Sequence, residues 1–154
     1  MDKNKYIIHT DGGSRGNPGP SAIGVVIEAL QQVQGKSPVL EWKKEYGEYI
    51  GETTNNDAEY QAVVFALKKL KLLIGKKTIG EAIVEVHVDS ELLERQLNGH
   101  YKIMDKNIQK HFVELWNLKV DFADVVYKHI PREDNHGADR LVNAALDKEL
   151  NKLL

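Results

Sequence analysis

Apolar positions along the first third of the chain are typical of β-strands. Three stretches combine apolar runs with apolar–polar alternation, and glycine- and proline-containing turns separate them, which predicts an antiparallel meander. The predicted strands are residues 4–11, 21–30 and 39–51. Residues 12–20 contain four glycines and two prolines, so this segment is predicted to be a turn or loop and not strand interior.

The later part of the chain changes to helical spacing. Capping residues at 53–56 are followed by apolar residues at intervals of three and four up to Gly75, which predicts a helix. The remaining predicted elements are a buried strand at 82–88, a short helix between Ser90 and Asn98, a helix at 105–118, a strand at 123–130, a loop at 131–137 and a helix at 138–152. Three strands followed by alternating elements predict an α/β fold with a five-stranded mixed sheet flanked by helices.

Composition narrows the classes of protein. A chain of 154 residues, 42% hydrophobic and 29% charged, suits a single domain over residues 1–154. No apolar run approaches the roughly 18 residues of a membrane span, and the N-terminus leads straight into a strand with no secretory signal. The chain has no cysteine, which excludes disulfides and thiolate metal sites and fits a reducing compartment. These features predict a cytoplasmic protein with no membrane segment.

Charge and acidic residues point to the chemistry. The net charge is −2, whereas a protein that binds nucleic acid through charge alone is strongly basic. Asp11 and Asp89 close apolar runs, and Glu59 and Asp139 lie near predicted helix starts. Carboxylates at such positions can converge on one point, and a converged cluster repels itself unless cations fill it. Magnesium prefers hard oxygen ligands and phosphate partners, so this pattern indicates metal-dependent phosphodiester chemistry.

Four sequence motifs identify a family. They are TDGGSRGNPG at 10–19, TTNNDAE at 53–59, VDS at 88–90 and NHGADRL at 135–141. Together, in this order and spacing, they resemble type 1 ribonucleases H over nearly the whole chain. The resemblance implies a ribonuclease H-like fold, with three antiparallel strands and then two parallel ones. It implies an endonuclease that cleaves the RNA strand of RNA–DNA hybrids and leaves 5′-phosphate and 3′-hydroxyl ends. The protein is predicted to be a monomer.

The resemblance also assigns roles to the acids. Asp11 would bridge two Mg²⁺ ions, for which Mn²⁺ is a substitute, and such ions lie about 3.5–4 Å apart. Glu59 and Asp89 would complete the ion on the leaving-group side, and Asp139 the ion that activates water. Each acid has a structural alternative: a turn cap at Asp11, a helix-dipole partner at Glu59 and a helix cap at Asp89 or Asp139. Four independent caps that all fall on the family pattern are the less economical explanation.

The resemblance suggests further site residues. His129 lies ten residues before Asp139, as does the loop histidine of bacterial members, and would shuttle protons and assist product release. His136 in the same loop is the competing candidate, Arg132 would contact phosphate, and the structural alternative for His129 is a half-buried side chain on the last strand. The predicted substrate groove comprises backbone N–H groups of Gly12 and Ser14 and the side chains of Asn17, Thr54, Asn55 and Asn56. Asn side chains can pair with 2′-hydroxyls and base edges, or can bond locally in turns and caps.

Two departures from the family shape the prediction. The link between the short helix and the helix near Asp105 lacks a basic, tryptophan-rich protrusion, and no N-terminal hybrid-binding domain is present in this sequence. The chain therefore resembles compact members, for which cleavage of double-stranded RNA is an alternative activity. A non-catalytic nucleic-acid-binding module is the third hypothesis, although all four acids are present. Trp42 and Trp116 are both predicted to pack in the core and not to stack on bases.

Overall fold

The computed structural model describes residues 4–152, which are organised around one five-stranded sheet of order β3-β2-β1-β4-β5. The strands are β1 Lys5–Ser14, β2 Gly19–Gln31, β3 Val39–Thr53, β4 Ile83–Val88 and β5 Asp124–His129. The first three strands pair antiparallel, β4 runs parallel to β1, and β5 runs parallel to β4. The predicted α/β fold with a mixed sheet is confirmed.

Five helices and one 3₁₀ turn accompany the sheet. They are α1 Asn55–Ile74, α2 Lys76–Ile79, α3 Glu91–Leu97, α4 Lys106–Asp121, the turn Arg132–Asp134 and α5 His136–Asn151. The α2 helix and the 3₁₀ turn were not predicted, because elements this short carry little periodicity. The link from α3 to α4 is only the eight residues 98–105, which agrees with the prediction of a short connection. In the described part of the chain, no helix has the length and apolar character of a membrane span.

The prediction of a loop from residue 12 was wrong. Gly12 pairs with Ile23 and Ser14 pairs with Ser21, so β1 continues through the glycines and β2 already begins at Gly19. A Cβ at Gly12 would overlap the backbone of Ala58 in α1. Glycine is required there for close approach between a strand and a helix, which a sequence pattern cannot distinguish from a requirement for a turn.

Helices cover both faces of the sheet at its functional end. Successive residues of a strand point to opposite faces; accordingly Gly12 adjoins α1, whereas a Cβ at Gly13 would lie 3.3 Å from Val142 of α5. The main core lies on the α1 face, where α4 also packs. It contains buried residues of the strands and of both helices, including Ile8, Val86, Tyr60, Leu67, Leu70, Ile108 and Leu115.

The two tryptophans differ in environment. Trp42 packs against the core, with its ring centroid 6.1 Å from that of Tyr6, as predicted. Trp116 is 62% exposed, so its assignment to the core was wrong. The core face of α4 is formed by Leu115 and Leu118, and successive helical residues are rotated by about 100°, which turns Trp116 towards solvent.

Candidate active site

Three of the four predicted acids meet at one end of the sheet. Asp11, Glu59 and Asp89 each offer a carboxylate oxygen, and these oxygens lie within 4.8 Å of one another. Asp11 is on β1 and Asp89 directly follows β4, the parallel neighbour of β1, so both lie at the same end of the sheet. Glu59 enters from α1, whose backbone approaches β1 at Gly12.

Asp139 borders the same site from α5 without joining this group of three. It lines the cavity that contains Asp11 and Glu59, and its negative charge contributes to raising the pKa of Asp11. The structure therefore places Asp11, Glu59 and Asp139 around one cavity, and Asp89 adjoins it through the group of three carboxylates.

Three of the structural alternatives for the acids do not hold. Ser90 and not Asp89 caps α3, since its hydroxyl accepts the Leu93 N–H at 3.2 Å. Asn135 is the N-cap residue of α5, which leaves Asp139 inside the helix. The acidic residue in the first turn of α1 is Asp57, and Glu59 lies beyond that turn. Asp11 does accept the Gly12 N–H, at 3.0 Å, but as a bond within its own strand.

Burial and mutual repulsion raise the pKa values of two acids of this cluster, Asp11 and Glu59. Asp11 is 7% exposed, and its burial, with the charges of Asp89 and Asp139, raises its pKa to about 7. Burial and the charges of Asp11 and Asp89 likewise raise the pKa of Glu59 well above its usual value. Glu59 Oε2 is buried and has no hydrogen-bond partner within residues 4–152. Converging hard oxygen ligands, one of them unpartnered, fit a divalent cation.

We expect metal affinity at this cluster to be pH-dependent. A cation must displace protons from carboxylates, so affinity should fall as the pH is lowered through about 7, the raised pKa of Asp11. Without metal, Asp11 is more protonated in the native protein than in the unfolded chain between its ordinary pKa of 3.8 and about 7, so its contribution to the unfolding free energy should decrease as the pH rises through that window. Calorimetric titration with Mn²⁺ from acidic to alkaline pH measures the first effect. An affinity that stays constant across this range would contradict the assignment.

Asn135 is a site residue whose role the sequence reasoning missed. It is 1% exposed, and its Nδ2 donates to the carbonyl of Thr10 at 2.9 Å and to Asp89 Oδ2 at 3.0 Å. One amide thus joins the end of β1 to the carboxylate that follows β4. Its position at the start of the NHGADRL motif was the available signal, but its partners are remote in sequence.

The predicted groove residues adjoin the site and also bond to one another. Thr54 caps α1 by accepting the Asp57 N–H at 3.2 Å. Asn55 Oδ1 accepts the Ser14 N–H at 2.8 Å, and Asn17 Oδ1 accepts the Asn55 N–H at 3.0 Å. Local bonding therefore occupies several of these groups.

The N–H groups of Gly12 and Ser14 already have protein acceptors, so their contact with RNA stays a prediction. Asn56 Oδ1, by contrast, is buried and lacks a partner among the described residues.

The cavity in front of the acids has a volume of about 350 Å³. Two polar residues in its lining were not predicted, Arg15 and Asn143. Arg15 pairs with Asp147 at 2.7 Å, and Asn143 Nδ2 donates to the Asp139 carbonyl at 3.1 Å. Arg132 lines the cavity as well, and its charge opposes the rise in the pKa of Glu59.

The two candidate histidines occupy different positions. His129 ends β5, is exposed, and places Nε2 3.3 Å from the Asp89 carbonyl oxygen, so the half-buried alternative was wrong. His136 begins α5 and is also exposed. Within the described chain, His129 lies at hydrogen-bonding distance from a residue of the acidic cluster, whereas His136 makes no hydrogen bond to these acids.

Comparison with known proteins agrees with this geometry. Residues 9–145 match the family described as Reverse transcriptase-like. Ribonuclease HI of Halobacterium salinarum is 38% identical over 89% of this chain and 62% of its own length. A bifunctional protein of Mycobacterium tuberculosis is 36% identical over 93% of this chain, which spans only 36% of that protein.

A solved structure is similar over its full length. LC11-RNase H1, crystallised in complex with an RNA/DNA hybrid, is 44% identical, with a TM-score of 0.80 over 94% of this chain and 99% of that one. The sheet order, the converging acids and these similarities agree on one assignment. The chain belongs to the type 1 ribonuclease H family.

Proposed function

We propose that this chain is an endonuclease that hydrolyses the RNA strand of RNA–DNA hybrids and leaves 5′-phosphate and 3′-hydroxyl ends. The observation that carries the proposal is the partly buried cluster of Asp11, Glu59 and Asp89 beside an open, polar cavity. The similarity to LC11-RNase H1, which was crystallised with such a hybrid, supports this choice of substrate.

The cofactor in this proposal is a pair of Mg²⁺ ions, with Mn²⁺ as a substitute. Asp11 would bind both ions, Glu59 and Asp89 would hold one, and Asp139 the other. The buried, unpartnered Oε2 of Glu59 supports this ligand set. When bound, the ions would activate water and stabilise the leaving 3′-oxygen.

The remaining residues act on the substrate and on protons. His129, beside the backbone of Asp89, accepts and releases protons at Nε2 and assists product release. Arg132 lies close enough to Glu59 to affect its pKa and contacts the phosphate. The groove side chains bind the minor groove, where amide and hydroxyl groups match 2′-hydroxyls and base edges. These side chains are those of Asn17, Thr54, Asn55 and Asn56, and Gly12 and Ser14 contribute backbone N–H groups.

A panel of duplexes tests the substrate. RNA–DNA, RNA–RNA and DNA–DNA duplexes of one sequence would be cleaved in parallel. Cutting of the RNA–DNA duplex alone supports the proposal. The eight-residue α3–α4 link offers little surface for holding a DNA strand. Equal or faster cutting of RNA–RNA would therefore favour the second candidate, a nuclease with substantial double-stranded RNA cleavage. Binding of all duplexes without cutting would indicate a non-catalytic module.

Removal of the Asn135 amide should impair catalysis. Asn135→Ala frees the Asp89 carboxylate from its donor, and loss of such a supporting bond lowers metal affinity or activity by about 10-fold or more. Initial cleavage rates measured against metal concentration would show the loss. Asn98→Ala is the matched control, because it removes an amide bond to another strand carbonyl, that of Tyr127 at 3.2 Å. Wild-type rates for Asn135→Ala would contradict the role.

We also propose that residues 1–154 act as one ribonuclease H domain, as a monomer in the cytoplasm. The single sheet of residues 4–152, with a buried hydrophobic cluster against α1 and α4 and a second against α5, supports the first part. Size-exclusion chromatography with light scattering would test the oligomeric state. A dimer at micromolar concentration would contradict it.

A further inference from the structure

Asp57 is a buried carboxylate on α1 that residues of α4 hold in place. It is 4% exposed. Its Oδ1 accepts hydrogen bonds from His111 Nε2, at 2.7 Å, and from the Asn107 amide. Its Oδ2 accepts from Thr53 Oγ1 at 2.8 Å and from Gln61 Nε2 at 2.5 Å. Burial opposes ionisation, but these bonds, that from His111 foremost, outweigh it and hold the pKa of Asp57 below its usual value. Four donors satisfy both oxygens, so Asp57 is bound to its neighbours and is not available to a ligand.

His111 is itself fixed in orientation. Its ring stacks on that of Tyr60, with centroids 6.2 Å apart and planes 16° apart. The Tyr60 hydroxyl donates to Gln96 Oε1 of α3 at 2.7 Å. The His111 donor on α4 therefore has a defined direction, and a change at its contact with Asp57 would affect the first two turns of α1.

Glu59 lies on the side of α1 that faces away from this contact. Two residues along a helix correspond to a rotation of about 200°, so Glu59 points nearly opposite to Asp57. Ala58, between them, faces Gly12 of β1 so closely that no Cβ fits there. The start of α1 thus packs between β1 and α4. Its rotation about the helix axis decides where the Glu59 carboxylate lies relative to Asp11.

We infer that Asp57, held by Asn107 and His111, is a positioning residue that fixes the rotation of α1 and so places the Glu59 carboxylate for metal binding. The inference rests on the proposed function, in which Glu59 is a metal ligand. If the α4 contacts are lost, α1 can rotate about its axis relative to Gly12 of β1. The carboxylates of Asp11, Glu59 and Asp89 are then no longer held together in advance, and cation binding must bring them together. Metal affinity should fall, whereas hybrid binding at saturating metal should change little.

His111→Ala tests this directly, because it removes a donor on α4 without altering α1. Mn²⁺ affinity would be measured by calorimetry without substrate, and the half-saturating metal concentration in cleavage. Since direct partners of metal ligands contribute about 10–100-fold, we expect this indirect contact to cost about fivefold in metal affinity. The KM for the hybrid should stay within about twofold at saturating metal. His111→Gln keeps an N–H donor and should restore most of the affinity.

Glu114→Gln is the matched control. It breaks the pair between Lys68 and Glu114, 2.8 Å, which joins the same two helices farther from Glu59. If the contact of Asp57 with α4 has a purely structural role, Glu114→Gln and His111→Ala should both lower the unfolding temperature. Neither variant should then change metal affinity at a temperature where both are folded. Asn107→Ala removes the other α4 donor to Asp57, and it replaces His111→Ala in these measurements if that variant does not fold.

Three results would overturn the inference: wild-type metal affinity in His111→Ala, an equal loss in Glu114→Gln, or no recovery in His111→Gln. Failure of the proposed function gives a different pattern, because the wild type itself would then neither bind metal at the cluster nor cleave the hybrid.

Discussion

Replacing Asp11 by Asn is expected to lower the cleavage rate of an RNA–DNA hybrid by at least about 1,000-fold. Asp11 belongs to the carboxylate cluster, and in the proposed function it binds both ions. Loss of several kcal/mol of transition-state stabilisation corresponds to about tenfold in rate for each 1.36 kcal/mol. Single-turnover cleavage with saturating enzyme would measure the change. Hybrid affinity should be kept or strengthened, because the substitution removes a negative charge facing phosphate.

The same substitution should make the metal-free protein more stable at alkaline pH. Asp11 ionises against burial and the charges of Asp89 and Asp139, so its neutral replacement should raise the free energy of unfolding by on the order of 2 kcal/mol. Asp121→Asn is the charge-matched control, since it removes an acid that pairs with Lys71 at the far end of α1. A variant that loses both activity and stability would indicate misfolding, and one that keeps activity would exclude Asp11 as a ligand.

Gly12→Ala is expected to destabilise the fold and to disrupt the site together. The added Cβ would overlap the backbone of Ala58, and backbone atoms cannot rotate away as a side-chain end can. Overpacking of this kind costs about 3 kcal/mol, or roughly 6–12 °C in unfolding temperature for a chain of this size. Separation of α1 from β1 would also withdraw Glu59 from Asp11, so cleavage should fall even where the variant is folded. Thermal unfolding and cleavage rates would be measured on the same preparation.

Two other glycines serve as controls for this prediction. Gly80 has φ −66° and open space around its Cβ position, so Gly80→Ala should be neutral. Gly13→Ala would meet only the Val142 side chain, at 3.3 Å, and should cost much less than Gly12→Ala. Equal stability of the Gly12 and Gly13 variants would contradict the close-approach explanation.

Much of the fold follows from local pattern. Alternation and helical spacing predicted all five strands and the four longer helices, with boundaries within three residues of those observed. Capping chemistry was equally local: Thr54, one of the capping residues predicted at 53–56, caps α1, and Ser90, at the predicted start of the short helix, caps α3. These features depend on neighbours within a few residues, so they can be read without knowledge of the tertiary structure.

What the sequence did not predict depends on distant partners. Gly12 pairs with Ile23 as part of β1, and the residue is glycine because α1 passes over it and not because the chain turns there. Asn107 and His111 meet Asp57 from 50 and 54 residues away, and Asn135 reaches Asp89 across 46 residues. No periodicity encodes such pairs. The four acids could be predicted because they match a family pattern, whereas the hydrogen-bond partners of Asp57 and Asp89 follow from the packing of this chain.

The most direct test of the account is cleavage of one RNA–DNA hybrid labelled in turn on each strand. Wild type and Asp11→Asn would be compared with Mg²⁺, with Mn²⁺ and with EDTA. The account predicts cuts in the RNA strand only, with 5′-phosphate products, in either metal, none in EDTA and none with Asp11→Asn. Cutting of the DNA strand, cutting that persists in EDTA, or full activity of Asp11→Asn would contradict a metal-dependent hybrid ribonuclease centred on Asp11.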